Sequence, residues 1–273
     1  MARGEWSVVG ATLAAALMMW VSSVPLGAGQ AAPDKAPRSH DGRPDFTGIW
    51  QAINTANWDI EPHAAEQGPK PFGALFSVPP GVGVVDGGEI PYKPEALQQR
   101  QENRRKRWTD DPEVKCYLPG VPRFVYMPYP FQIAQSSDYI IMSSEYAAAA
   151  RTLHLTPAQS DAPVDTWMGH SRARFDGESL VVNVTALNGQ AWFDRAGNFA
   201  SSQARIVERF SFAGPDRLAY EAQIDDPTVF TRPWKMSMPL YRRAESDSQL
   251  LEFKCVEFAE DLIYGHLRRQ PSK

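Results

Sequence analysis

Three side chains in this 273-residue sequence stand where they could move a proton: Glu208, His170 and Asp194. Glu208 belongs to Arg205-Ile206-Val207-Glu208-Arg209-Phe210-Ser211-Phe212, in which apolar residues alternate. A strand with that period puts Glu208 on one face with Ile206, Phe210 and Phe212. A carboxylate enclosed among such groups loses hydration, and its pKa rises towards the range of a general acid or base. On that reading Glu208→Gln folds and loses turnover; the other reading is a structural Glu bonded to a buried Arg or Tyr, or one at the barrel rim. His170 follows Trp167-Met168-Gly169, and an imidazole titrates near neutrality. Asp194 lies in Trp192-Phe193-Asp194-Arg195-Ala196-Gly197-Asn198. That loop reads equally as the rim of a site or as an Asp-capped turn. Arg151 and Arg232 are the candidates to steady developing negative charge. Trp167, Trp192 and Tyr220 are the candidates for an apolar wall, with Asn183 beside His170.

Other chemistries find less support. The five histidines, His40, His63, His154, His170 and His266, show no His-x-His or His-x-x-x-His spacing, so no metal is expected. Two cysteines are too few for a four-cysteine zinc or iron–sulfur centre. No Gly-x-Gly-x-x-Gly, phosphate loop or Gly-x-Ser-x-Gly elbow occurs, so no nucleotide cofactor and no acyl-enzyme serine is expected. A net charge of -4 gives no electrostatic footprint for nucleic acid. The basic run Arg104-Arg105-Lys106-Arg107 reads as a solvated helix end. The expected partner is a small organic molecule, with no cofactor.

The N-terminus reads as an address. Arg3 precedes an apolar run from Val8 to Val21, and Gly29-Gln30-Ala31 fits a small-x-small cleavage pattern. Fourteen helical residues reach about 21 Å, short of the ~30 Å hydrocarbon core. Residues 1–31 are therefore expected to be a signal peptide, and the mature chain to be periplasmic or secreted without stable membrane insertion. Cys116 and Cys255 should then pair as a disulfide.

The elements that would position these groups are mostly strands. Residues 32–43 read as a linker and 44–273 as a single β-rich domain, with an irregular Pro- and Gly-rich stretch at 54–93. One helix is expected near 94–108, with Pro94 in its first turn. Phe131–Gln135, Tyr139–Ser143 and Arg151–Leu155 alternate as strands. Two hairpins follow. In the first, a type I′ turn at Asp176-Gly177 pairs Phe175 with Glu178 and sets His170 opposite Asn183. In the second, a turn at Gly214-Pro215-Asp216 pairs Phe212 with Leu218, Glu208 with Ala222 and Arg209 with Glu221. The predicted fold is a mainly β, antiparallel meander closing into a barrel or strongly curved sheet, lipocalin-like by analogy.

Several segments carry a resemblance. Pro44-Asp45-Phe46-Thr47-Gly48-Ile49-Trp50 resembles the opening of a large family of exported bacterial proteins of uncharacterised function. The likeness continues through Cys116-Tyr117-Leu118-Pro119-Gly120-Val121-Pro122-Arg123, Trp167-Met168-Gly169-His170-Ser171 and Asp176-Gly177-Glu178-Ser179-Leu180-Val181-Val182. It ends with Val207-Glu208-Arg209-Phe210, Ile224-Asp225-Asp226-Pro227, Thr231-Arg232-Pro233-Trp234 and Glu252-Phe253-Lys254-Cys255. The resemblance spans most of the mature chain and transfers no activity. Similar sequences often carry Asp where this one has Asn183, which weakens any His–Asp dyad here.

Three functions fit. The first is a metal-free lyase, isomerase or hydrolase acting by acid–base catalysis on a small organic molecule. The second is a non-catalytic ligand carrier of the periplasm. The third is an envelope interaction module that docks through 54–93.

Overall fold

The alternating segments pair into strands in a computed structural model that describes residues 36–267, except 71, 157–161, 163 and 246. The expected signal peptide, 1–31, lies outside the described residues. Nine strands are formed among them: β1 Gly48–Ala52, β2 Phe131–Gln135, β3 Tyr139–Ser144, β4 Ala150–His154, β5 His170–Asp176, β6 Ser179–Thr185, β7 Arg205–Gly214, β8 Arg217–Asp225 and β9 Trp234–Arg242. Each pairs with the next in the chain, and β9 returns to β1, closing the barrel. Alternate residues turn inward and fill the interior. Trp50, Phe131, Ile140, Leu180, Phe210 and Met236 are all fully buried there. A barrel of this size has room for little besides its own side chains.

The meander is antiparallel except at one place. β4 and β5 run parallel and share only two Cα pairs, Leu153 with Ser171 and His154 with Arg172. This departs from the expected all-antiparallel sheet. Alternation fixes which face a residue takes and leaves strand direction open. The long connection from His154 to His170 lets the chain return to the same end, as a parallel pairing requires.

The two predicted hairpins came out differently. β7 and β8 pair in the expected register, Phe212 with Leu218 and Arg209 with Glu221, with a bulge between Phe212 and Gly214. β5 and β6 are shifted by two residues from the expected register: Phe175 faces Leu180, Arg172 faces Asn183, and His170 faces Thr185. The loop is Gly177-Glu178 rather than Asp176-Gly177, and of the two only Gly177 has a positive φ, +58°. Glycine first in a two-residue loop suits a type II′ turn, which competes with the Asp-Gly signal. A shift of two keeps every side chain on its face, so the core was placed correctly while the cross-strand partners were not.

Among its described residues the stretch 54–93 holds no strand or helix of its own, and it packs on the barrel, burying Ile60, Val85 and Ile90. β1 covers β9 only from Leu240 to Arg242. Beyond that, Ser237 N donates to Val84 O and Asp86 N donates to Lys235 O, each at 2.9 Å, so the edge is not left open. The predicted helix is present as α1 Pro94–Arg105 and α2 Arg107–Asp110. Two short helices were not foreseen, α3 Arg123–Tyr126 and α4 Ala259–Tyr264. Four to six residues are too few to show a helical stripe. No helix among the described residues is long and apolar enough to cross a membrane.

Cys116 and Cys255 form the expected disulfide, 139 residues apart in sequence. Closing so long a loop restricts the unfolded chain, and loop-entropy reasoning puts the effect at up to about 5 kcal/mol. Replacing both cysteines with serine should lower the unfolding free energy by several kcal/mol in urea melts. A double variant as stable as the parent would show that the bond adds nothing to the fold.

Candidate functional site

Glu208 and Arg151 meet inside the barrel. β7 points Glu208 inward, fully buried, and β4 points Arg151 to meet it, with a side chain 2% exposed. Arg151 Nη1 donates to Glu208 Oε2 at 2.7 Å and Nη2 donates to Oε1 at 3.0 Å. The Tyr220 hydroxyl of β8 donates to Oε1 at 2.8 Å. The guanidinium also lies 5.6 Å from the centre of the Phe124 ring. β4 and β7 are not neighbours in the sheet, so this fork crosses the interior. Sequence alternation correctly put the acid among aromatics. Alternation did not name the cation: Arg151 meets both carboxylate oxygens, and with Tyr220 it fills the acid with three donors.

A second place gathers more of the candidates. Where β4 and β5 part, a cleft of about 360 Å³ opens in the barrel wall. Arg151, Ser171, His154, His170, Trp167 and Met168 line it. The rings of His154 and His170 stack, with centroids 5.2 Å apart and planes at 21°. Trp167 stacks on Tyr117 at 5.0 Å, beside the disulfide at Cys116. Gly169 makes the turn into β5 at φ +64°, and a Cβ there would fall 2.7 Å from Thr185 O. Only glycine fits. Behind the surface, Arg151 Nε and Ser171 Oγ are buried, and neither has a hydrogen-bond partner among the described residues.

Asp194 sits elsewhere, fully buried in the cap formed by 54–93, α1 and the loop 186–204. Its Oδ2 accepts from Ile60 N at 2.9 Å and Asn198 Nδ2 at 2.7 Å, and its Oδ1 accepts from Asn198 N at 3.1 Å. This is the Asp-capped turn, closed over a second segment of chain. Burial, then the neighbouring Asp59 carboxylate, push Asp194 up to about 7, against those hydrogen bonds. The remaining candidates scatter. Asn183 faces solvent opposite Arg172, so it neither touches His170 across the ladder nor forms a dyad with it. Trp192 bridges to Phe199 in the cap loop. Arg232 is exposed and donates only a 3.4 Å bond to Pro233 O among the described contacts. The three aromatics expected to form one wall are thus apart: Trp167 at the cleft, Tyr220 in the barrel, Trp192 in the cap.

One cluster had no sequence signal. Arg123 of α3, 1% exposed, donates from Nη1 and Nη2 to Asp111 at 2.8 and 3.1 Å and from Nη2 to Glu113 at 2.6 Å. Arg195 forks onto Glu113 at 2.8 and 2.9 Å, with its guanidinium 4.6 Å from the Trp58 ring centre. Burial alone would raise Glu113, but Arg195 and Arg123 outweigh it and hold the carboxyl down at about 2. The residues come from four separate stretches of chain, which no local pattern could join.

The fold and the site together define a closed β-barrel with a side-wall cleft. No protein-family model matches the chain, and no curated protein matches it. Among solved structures, a crystal structure of a mutant of the fluorescent protein UnaG is similar over 73% of this chain and 97% of that one, at 9% identity and a TM-score of 0.31. A likeness at that level carries no argument about fold family or ligand.

Two outcomes follow from these geometries. Glu208→Gln leaves the Arg151 charge buried without its counter-ion, so it should destabilise the fold by about 3–5 kcal/mol, read by chemical denaturation. Pairing it with Arg151→Met should restore much of that loss; a Glu208→Gln protein as stable as the parent would refute the tie. The second outcome concerns pH. Asp194 titrates higher folded than its ordinary 3.8, so its contribution is full below about pH 4 and is lost as pH rises to about 7. Glu113 works oppositely and below that window, losing its contribution as pH falls from 4.5 towards 2. Asp194→Asn should flatten the decline of unfolding free energy between pH 4 and 7, a slope of at most about 1.4 kcal/mol per unit. An unchanged slope would mean that Asp194 stays ionised throughout.

Proposed function

We propose that the protein binds a small organic molecule in the cleft between β4 and β5, and that His170 exchanges a proton with it. The observation that carries this reading is the stacked His154–His170 pair, set in a cleft with one apolar side, Trp167 and Met168, and one polar side, Ser171 and Arg151. Convergent polar groups beside an aromatic wall are the ordinary make-up of a small-molecule site. Glu208, the first candidate base, is fully held by Arg151 and Tyr220, and among the described residues lining the cleft the imidazoles of His154 and His170 are the groups suited to proton exchange. The chemistry is then acid–base transfer by histidine, within the lyase, isomerase or hydrolase range. Arg151 acts as the fixed positive end of an ion pair beside the reacting molecule. Residues 1–31 act as an export signal, and the Cys116–Cys255 bond fits an oxidising compartment.

The test uses the exported protein and native mass spectrometry of whatever co-purifies with it. Ala150 lines the cleft, and Ala150→Trp places an indole there. A ligand mass present on the parent and missing from Ala150→Trp supports the cleft; a mass retained by the variant places the ligand elsewhere. His170→Gln should keep that ligand bound and stop its conversion. Conversion at the parental rate would remove His170, and binding without conversion in the parent itself would make the protein a carrier.

A further inference from the structure

We infer that the ligand enters this cleft carboxylate first, as a flat oxyanion-bearing molecule anchored on Arg151 and Ser171. This rests on the cleft being the binding site. The class of ligand follows from which hydrogen-bonding groups are left over. Arg151 has its two terminal nitrogens engaged with Glu208, and its Nε–H has no partner among the described residues. A guanidinium nitrogen can only donate, so what completes it is an acceptor. Ser171 Oγ, on a residue 2% exposed, likewise has no partner among the described residues and can donate to the same acceptor.

The surroundings favour a negative acceptor over a neutral one. No Asp or Glu is among the described residues lining the cleft. Arg151 lines it while Glu208 does not, so the ion pair turns its positive end to the cleft. A carboxylate has two oxygens on one carbon and can take the Nε–H with one and the serine hydroxyl with the other. Flatness follows from the walls: the imidazole pair and the Trp167 ring are faces against which a planar body packs.

Both anchor atoms lie just behind the cleft surface, so reaching them requires β4 to part slightly from β5. That is the easiest seam to open. Two Cα pairs hold it, against nine between β7 and β8. The Arg151–Glu208 fork keeps β4 tied across the interior to β7 while it moves.

Three probes of one shape test the class: benzoate, benzamide and benzamidinium. Each is titrated into the whole protein while the His154, His170 and Trp167 side-chain signals are followed by NMR. Benzoate should shift these signals and bind about tenfold more tightly than benzamide, with benzamidinium weakest, as a charge-assisted pair implies. Benzamide or benzamidinium binding there as well as benzoate would overturn the oxyanion class and leave the cleft standing. Failure of all three to move the signals at tens of millimolar would overturn the cleft itself. Ser171→Ala removes one anchor with little change in volume. It should weaken benzoate about fivefold or more and leave benzamide nearly unchanged. Equal benzoate affinity would remove Ser171. Arg151→Lys keeps the charge facing Glu208 without the Nε–H, and unaltered benzoate binding in it would remove Arg151.

Discussion

A guanidinium from β4 and a carboxylate from β7 grip each other across the inside of this barrel, and the rest of the wall is arranged around that grip. Two charges taken out of water recover their lost hydration only in good geometry with the remaining hydrogen bonds filled. Here both carboxylate oxygens are met by Arg151, and Tyr220 adds a third donor. The result depends on register. A slip of one residue in β7 would carry Glu208 outward and leave Arg151 charged and alone in the core. The pair therefore makes one alignment of β7 against β8 far better than its neighbours.

The same tie explains how the barrel tolerates a weak seam. β4 meets β5 over two Cα pairs, and a sheet that thinly joined would separate readily. β4 is held on its other side by five Cα pairs to β3, and Arg151 ties it across the interior to β7, so the strand keeps its place although its seam with β5 is thin. Thin pairing is also what makes space for a cleft. The stacked imidazoles and the Trp167 ring line that cleft. Stability and site are thus linked at one residue, which belongs to the ion pair on one side and to the cleft on the other.

The cap obeys a different electrostatic logic. Asp194 is buried with hydrogen-bond donors and a second carboxylate nearby, and it titrates high. Glu113, equally buried, is flanked by two guanidiniums and titrates low. Burial is common to both, and the sign of the shift is decided by the neighbours. These clusters, with Arg100 on Asn198 and Asn103 on Gly197 O, fasten 54–93 and α1 to the loop 186–204 and to the segment that follows α2. That gives a stretch poor in regular structure a fixed position on the barrel.

Period-two alternation was enough to determine the β class, the core faces of the two hairpins and the burial of Glu208, because a pleated strand sorts its side chains strictly by parity; the register of β7 on β8 needed the opposite charges of Arg209 and Glu221 as well. The cysteine pair was legible from count and compartment, and α1 from Pro94 and the helix formers behind it. The parallel seam, the shifted β5–β6 partners and the cation facing Glu208 were decided only by the folded chain. Parity carries no strand direction and cannot tell a register from one displaced by two. The distance from Arg151 to Glu208 along the chain, 57 residues, is closed by the curvature of a whole sheet. For the same reason the cleft could not be read from its parts: Arg151 and Ser171 look like unrelated strand residues until β4 and β5 are laid side by side.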